Sequence, residues 1–177
     1  MPTLSSGKLP RLTLILGGAR SGKSALAEQL LSAEPGPWAY IATAQAFDDE
    51  MRVRIAQHRA RRVDGWTTYD APVELARALA DQTAGQPVLV DCLTLWLTNL
   101  LLGSHDVVAA TQSLIEVLAA RDKPCILVAN EVGLGIVPDN ALARAFRDEA
   151  GRLNQRVATV VDRVLFVAAG LPLTLKG

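Results

Sequence analysis

Eight residues near the N-terminus have the spacing of a phosphate-binding loop, G-x-x-x-x-G-K-[ST], and follow an apolar run. In such a loop, backbone N–H groups surround a phosphate, and the helix that begins behind it adds partial positive charge. We expect Lys23 to act catalytically on the terminal phosphates and the Ser24 hydroxyl to bind Mg²⁺. The loop therefore predicts a nucleoside triphosphate site suited to phosphoryl transfer. Its predicted nucleotide contacts are Gly17, Gly18, Ala19, Arg20, Ser21, Gly22, Lys23 and Ser24.

Two carboxylates follow apolar runs further along the chain. Asp91 closes the run 88–91, and a carboxylate at a strand end is the usual second partner of a loop-bound Mg²⁺. The alternative is that Asp91 caps the helix predicted to begin at Leu93. Glu131 follows the run 125–129. We expect Glu131 either to serve as a base or to organise the adjacent glycine-rich loop by hydrogen bonds.

His58 lies in a helical pattern at residues 48–62 that also contains five arginines. Nearby cations favour the neutral imidazole, and guanidinium groups bind phosphates with two hydrogen bonds. These are the requirements for a histidine that attacks phosphorus. The alternative is a solvated helix face, because isolated histidines and arginine runs are usually exposed. The acids at 48–50 suit a metal site or, more simply, the helix N-terminus.

Short β-rich runs alternate with helical patterns along the chain. Several runs are apolar throughout, as expected for a parallel sheet that helices cover on both faces. The predicted strands are 12–16, 38–42, 88–91, 125–129 and 164–168, with an alternating edge strand at 171–176. The predicted helices are 24–33, 48–62, 73–80, 93–102 and 140–162. This pattern predicts a three-layer α/β fold of the RecA-like P-loop NTPase type, mainly parallel, with an antiparallel edge strand.

The composition favours one globular domain. The chain has 177 residues, of which 50% are hydrophobic, and we place the domain at 12–177 after a flexible leader at 1–11. Lys plus Arg and Asp plus Glu both number 18, so net charge predicts no binding to nucleic acid or membranes. The longest apolar stretch, 93–102, is about half a membrane span and suits a buried helix or an interface. Both cysteines lie in apolar runs, which predicts buried free thiols in a cytoplasmic protein.

Several stretches resemble, in their order, the bifunctional adenosylcobinamide kinase / adenosylcobinamide-phosphate guanylyltransferase family of cobalamin biosynthesis. The resemblance extends from about Leu12 to Lys176. Besides the phosphate-binding loop, it rests on Tyr40-Ile-Ala-Thr43, Asp49-Glu-Met51 with Arg54-Ile55 and His58, Asn130-Glu-Val-Gly-Leu-Gly-Ile-Val-Pro138 and Gly151-Arg-Leu-Asn-Gln-Arg156. The last two stretches are its most specific parts.

The resemblance implies an enzyme with two activities. A kinase step transfers phosphate from ATP or GTP to adenosylcobinamide. GTP then guanylylates a histidine, identified here with His58, and the GMP passes to adenosylcobinamide phosphate. The resemblance also implies Mg²⁺ as cofactor and a homo-oligomer, in this family a trimer. It adds predicted nucleotide contacts at Ala42, Thr43, Ala44, Arg59, Ala60, Arg61, Arg62, Asp70 and Asp91.

Two other functions compete with this interpretation. One is a P-loop kinase of a small molecule with a single activity, in which His58 and its arginines only clamp phosphate. The other is a non-catalytic nucleotide-dependent switch. The chain contains no Asn-Lys-x-Asp motif for guanine recognition, which speaks against the switch.

Overall fold

The computed structural model describes residues 9–45, 64–82 and 86–177. Its strands are β1 (Leu12–Gly17), β2 (Trp38–Ala42), β3 (Trp66–Asp70), β4 (Val88–Asp91), β5 (Cys125–Asn130), β6 (Arg163–Ala168) and β7 (Leu171–Lys176). Across the described residues these seven strands form one sheet in the order β3-β2-β4-β5-β1-β6-β7. Every neighbouring pair is parallel except β6 and β7, which form an antiparallel hairpin. The predicted mainly parallel sheet with an antiparallel edge strand is confirmed.

The carboxyl ends of the parallel strands meet at one edge of the sheet. There, Gly17 of β1 lies opposite Asn130 of β5. Ala42 of β2 lies between Asp91 of β4 and Asp70 of β3. Open α/β sheets bind their ligands outside this edge. The fold therefore brings the phosphate-binding loop and the strand-end carboxylates to the same side of the molecule.

Helices cover both faces of the sheet. They are α1 (Lys23–Leu31), α2 (Leu75–Ala80), α3 (Leu93–Leu102), α4 (Val107–Ala120) and α5 (Ala141–Val160). Side chains of β1 alternate between two cores. Leu12, Leu14 and Leu16 pack with α2 to α5, whereas Ile15 packs with α1. The predicted three layers are confirmed.

The predicted elements agree closely with the structure. Strands 38–42, 88–91 and 171–176 and helix 93–102 match residue for residue, and most others differ by one or two residues at an end. The long helix begins at Ala141 because Asn140 is its cap, and the Asn140 side chain accepts a hydrogen bond from the N–H of Ala143 at 2.8 Å. The predicted helix 48–62 lies outside the described residues.

Two elements of the structure, β3 and α4, are not predicted from the sequence. Among the described residues β3 pairs with β2 alone. Its own residues are partly or largely exposed, so it has no apolar run. Helix α4 did have a recognisable pattern. Asp106 caps it by accepting a hydrogen bond from Ala109 N–H, and Thr111, Leu114 and Leu118 are buried at helical spacing.

The last residues of the predicted leader contact the domain. The N–H of Leu9 donates to the Glu34 carboxylate at 3.2 Å. The Arg11 guanidinium donates to the carbonyls of Ala119 and Arg121, at 2.7 Å for Arg121. Residues 1–8 lie outside the described part of the chain.

The apolar stretch 93–102 is a buried helix rather than an exposed interface. Trp96, Leu97 and Leu100 of α3 are at most 1% exposed, and only toward its end does Leu102 become largely exposed. The predicted buried, free thiols of Cys92 and Cys125 are confirmed. None of the helices in the described ranges has the length and apolar character needed to cross a membrane.

Candidate active site

The phosphate-binding loop joins β1 to α1 in a conformation that requires glycine. Gly17 has a φ of +153°, and a Cβ at this position would lie 2.3 Å from the carbonyl oxygen of Val167 on β6. Gly22 is the N-cap of α1 and has a φ of +99°. A side chain at Gly17 would thus force the loop away from the sheet. The sequence specifies this loop through close backbone packing as well as through its chemistry.

Lys23 is buried within the loop. Its side chain is at the start of α1, and the residue is 7% exposed. The ammonium donates to the carbonyl of Gly18 at 2.5 Å and lies 3.5 Å from the Ser21 hydroxyl. Burial lowers the pKa of Lys23, because the ammonium loses hydration, while electrostatic interactions with Cys92 and Asp91 oppose this shift. A desolvated cation gains strongly from an added anion, so Lys23 suits a phosphate ligand.

Asp91 is oriented by a tyrosine on the neighbouring strand. The hydroxyl of Tyr40 on β2 donates to Oδ2 of Asp91 at 2.8 Å, and Tyr40 is 5% exposed. The Tyr40 ring packs edge-on against Trp66, with 6.2 Å between ring centroids. The N-cap of α3 is Cys92, so the alternative that Asp91 caps this helix is wrong. Within the described residues, Oδ1 of Asp91 makes no hydrogen bond and remains available to a ligand.

Buried polar side chains fix the strand ends beneath the site. The Thr43 hydroxyl donates to the carbonyl of Cys92 at 2.7 Å and accepts from its N–H at 2.9 Å. Asn99 of α3 donates to the carbonyl of Thr43 at 2.8 Å, and Thr94 accepts from the N–H of Asn130 at 2.7 Å. Since both sides of the Thr43 hydroxyl are engaged, its side chain acts within this network. The Thr43 N–H also donates to the carbonyl of Asp91 at 3.1 Å, and the residue is fully buried, so a nucleotide contact at Thr43 stays a prediction.

Glu131 lines an open cleft of about 390 Å³ beside the loop. One carboxylate oxygen of Glu131 accepts from the N–H of Gly133 at 2.6 Å, and the Glu131 N–H donates to the carbonyl of Gly17 at 3.1 Å. Both contacts are consistent with the expected organising role in the glycine-rich loop, which stays a prediction. A role as base stays a prediction.

The β6–β7 hairpin supports the loop from the other side. Ala169 and Gly170 form its two-residue turn, with φ of +51° and +76°, the signs that a type I′ turn requires. The N–H of Gly170 donates to the carbonyl of Ser21 at 2.9 Å. The loop is thus held by β6, by the hairpin turn and by the segment after β5.

The oxygen ligands that Ser24 and Asp91 offer fit a Mg²⁺ ion bound to a nucleotide. Ser24 lies in the first turn of α1, and Asp91 ends β4. No group of three or more His, Cys, Asp or Glu side chains that could hold a metal by themselves occurs in residues 9–45, 64–82 and 86–177. Mg²⁺ is usually bound by one or two protein oxygens and completes its shell with phosphates and water. One hydroxyl and one carboxylate match this chemistry.

A family comparison identifies the chain that carries this site. The model of the family described as Cobinamide kinase / cobinamide phosphate guanyltransferase matches residues 13–175. The chain belongs to this family. The resemblance noted in the sequence is thereby confirmed over nearly the whole chain.

Individual relatives agree with the family match. The bifunctional adenosylcobalamin biosynthesis protein CobP of Pseudomonas aeruginosa is 52% identical over 167 residues, which cover 93% of this chain and 96% of that protein. The bifunctional adenosylcobalamin biosynthesis protein CobU of Salmonella typhimurium is 41% identical over 181 residues, covering 93% of this chain and 99% of the relative. CobU of Escherichia coli is 40% identical, with the same coverage.

Solved structures of more distant proteins share the fold. The flagellar accessory protein FlaH from Methanocaldococcus jannaschii matches with a TM-score of 0.57 and 13% identity, over 97% of this chain and 81% of that one. The P4 protein from bacteriophage phi6, solved in complex with ADP, matches with a TM-score of 0.52 and 16% identity, over 96% and 55% of the two chains. The predicted P-loop NTPase fold is confirmed.

Within this family member, the structure brings part of the predicted site together. The phosphate-binding loop, Asp91 and Glu131 meet at one edge of the sheet, and Ala42 and Asp70 end neighbouring strands there. Ala44 follows β2 at the same edge. Five predicted site residues lie outside the described ranges: His58, Arg59, Ala60, Arg61 and Arg62. Their roles, and the nucleotide contacts of the others, stay predictions.

Two residues that support the site, Tyr40 and Gly170, are not predicted from the sequence. Tyr40 belongs to a stretch that resembles the family, yet no role for it is predicted from the sequence. Its one indication was a polar group within an otherwise apolar strand beside the strand of Asp91. Gly170 carried no indication beyond its turn, because its contact with Ser21 depends on the position of the hairpin.

Proposed function

We propose that this protein phosphorylates adenosylcobinamide and then transfers GMP from GTP to the product, giving adenosylcobinamide-GDP. The observation that carries the proposal is a glycine-rich loop with a buried, desolvated Lys23 that interacts electrostatically with Asp91, in a chain whose family is that of cobinamide kinases and guanyltransferases. The two relatives named CobU and the one named CobP are described as bifunctional. ATP and GTP are the expected nucleotides.

In the kinase step, the acceptor hydroxyl attacks the γ-phosphorus of the nucleotide. The bond from that phosphorus to the bridging oxygen breaks, and the nucleoside diphosphate leaves. Lys23 would exchange its contact with the Gly18 carbonyl for phosphate oxygens and neutralise their charge. Glu131 lines the cleft beside the loop and is our candidate for the group that accepts the hydroxyl proton.

Mg²⁺ is the cofactor that we propose, held by the Ser24 hydroxyl and the Asp91 carboxylate. When bound, it would neutralise charge on the phosphates. Tyr40 would hold the carboxylate of Asp91 in one orientation through its hydrogen bond to Oδ2. Oδ1 of Asp91 would then be directed to the ligand.

In the guanylyl step, a ring nitrogen of His58 attacks the α-phosphorus of GTP and pyrophosphate leaves. A phosphate oxygen of adenosylcobinamide phosphate then attacks the same phosphorus, the P–N bond breaks, and the imidazole is restored. Arg59, Arg61 and Arg62 are expected to neutralise charge on the phosphates. Support for His58 comes from the sequence pattern and from family membership.

An assay that separates the two steps tests the proposal. Lys23→Ala should abolish phosphorylation of adenosylcobinamide, because it removes the cation at the phosphates. His58→Ala should retain phosphorylation and lose GMP transfer to supplied adenosylcobinamide phosphate. Equal loss of phosphorylation in both variants would contradict this division of roles. A wild-type enzyme that phosphorylates but does not guanylylate would instead favour the kinase with a single activity.

The proposal extends to the surroundings of the enzyme. ATP and GTP are intracellular substrates, and both described cysteines are free thiols, so we place the protein in the cytoplasm. The family resemblance suggests a homo-oligomer, with a trimer as the expected form. Light scattering on the purified protein would determine its mass.

A further inference from the structure

Two separate segments expose aliphatic side chains next to the phosphate-binding loop. In the segment between β5 and α5, Leu134 is 80% exposed and Ile136 is 98% exposed. On β7, Leu171 is 56% and Leu173 is 61% exposed. Exposed apolar groups that cluster around a cleft are typical of a binding surface.

The strand register places these side chains on one surface. Leu134 and Phe166 both line the cleft beside the loop. Phe166 of β6 pairs with Leu173 of β7, and Ala168 pairs with Leu171, so the four side chains project from the same face of the hairpin. We call the surface formed by Leu134, Phe166, Leu171 and Leu173 the apolar shelf. It begins at the loop and continues outward along the hairpin.

We propose that the apolar shelf binds the corrin body of adenosylcobinamide during the kinase step. This inference rests on the proposed function. The acceptor hydroxyl has to come within about 3.5 Å of the γ-phosphorus, so the body of the acceptor must leave the cleft across one of its rims. The rim formed by Leu134 and the hairpin carries exposed aliphatic side chains.

The chemistry of the shelf suits this occupant better than a nucleotide. A corrin macrocycle is large and carries many methyl groups on its edge, which gain by leaving water against aliphatic side chains. The shelf lacks the hydrogen-bonding side chains that a purine edge or a ribose would need. Polar side chains line the cleft at the inner end of the shelf: Arg20, Ser21 and Glu131, of which Glu131 lies next to the reacting hydroxyl in the proposed arrangement.

Equilibrium dialysis with adenosylcobinamide tests the shelf without turnover, and the corrin absorbance reports the bound fraction. We expect the double variant L134S/L173S to bind adenosylcobinamide roughly tenfold more weakly than wild type or worse. Its affinity for GTP should change by less than about twofold, because no residue of the loop is altered. The matched control is Leu102→Ser. Leu102 is 65% exposed and lies at the end of α3, a helix that begins at the strand-end edge of the sheet and runs away from it.

Three results would overturn the inference. The first is unchanged affinity for adenosylcobinamide in a double variant that keeps the melting temperature of the control. The second is weaker binding of GTP instead of the corrinoid. The third is a drop in oligomer mass with corrinoid affinity retained, which would make the shelf a contact between copies of the chain. If wild type binds the corrinoid on the shelf but does not phosphorylate it, the proposed function is wrong and the inference that the shelf binds the corrinoid is retained.

Discussion

Removal of one oxygen atom tests how Asp91 is held. In Tyr40→Phe, the ring and its packing against Trp66 remain, while the hydrogen bond of 2.8 Å to the Asp91 carboxylate is lost. A hydrogen bond to a charged group contributes about 1.5–3 kcal/mol, and Asp91 is partly exposed, so water replaces some of it. We expect the free energy of unfolding to fall by about 1 kcal/mol. Loss of a partner that orients a metal ligand typically weakens metal binding by 10- to 100-fold, so we expect roughly tenfold weaker Mg²⁺ binding.

The assay is the Mg²⁺ concentration that gives half-maximal binding of a fixed amount of GTP, measured for wild type and variant. Tyr69→Phe is the matched control, because Tyr69 is 38% exposed on β3 and the chain has no third tyrosine. The control should behave as wild type. Equal Mg²⁺ requirements in Tyr40→Phe and Tyr69→Phe would refute the positioning role of Tyr40.

Three further predictions concern stability and are read by denaturant unfolding. Gly17→Ala should lower the free energy of unfolding by about 2–3 kcal/mol, because the added Cβ clashes with β6 and the φ is positive. In Gly18→Ala no atom lies within 4 Å of the added Cβ, so the free energy of unfolding should fall by less than about 0.5 kcal/mol. Similar losses would contradict the steric argument. Ala169→Asn should raise the free energy of unfolding by about 0.5–1 kcal/mol, because asparagine suits the positive φ of the turn. A lower free energy of unfolding in this variant would contradict the assignment of the turn. Burial raises the pKa of Cys125 from 9.0 to about 11, so the unfolded chain releases this proton first and stability falls above pH 9. The free energy of unfolding should fall by about 1.4 kcal/mol at pH 10 because of this thiol, and this contribution should be absent from Cys125→Ala. If the stability of Cys125→Ala declines with pH as much as that of wild type, the Cys125 thiol is not the cause.

The parts of the site that are local in sequence could be predicted. The loop at 17–24 carries its own glycines, lysine and hydroxyl, and the apolar strands before it and before Asp91 are identified by composition. Asp91 and the loop meet because parallel strands end at one edge, which is a property of the fold class.

The contacts between distant segments could not be predicted in this way. Tyr40 and Asp91 are 51 residues apart, and their contact depends on β2 lying next to β4. The contact of Gly170 with Ser21 depends on the hairpin folding back beside β1. β3 was missed for a related reason, since an edge strand with one neighbour needs little apolar sequence.

The proposed GMP transfer passes through a covalent intermediate at a single histidine, and mass spectrometry can locate it. Wild-type protein is incubated with GTP and Mg²⁺ and digested at neutral or alkaline pH, because a P–N bond is acid-labile. We predict a GMP adduct on the peptide that contains His58 and none in His58→Ala. An adduct on any other residue, or none on folded wild type that binds GTP, would contradict the central claim.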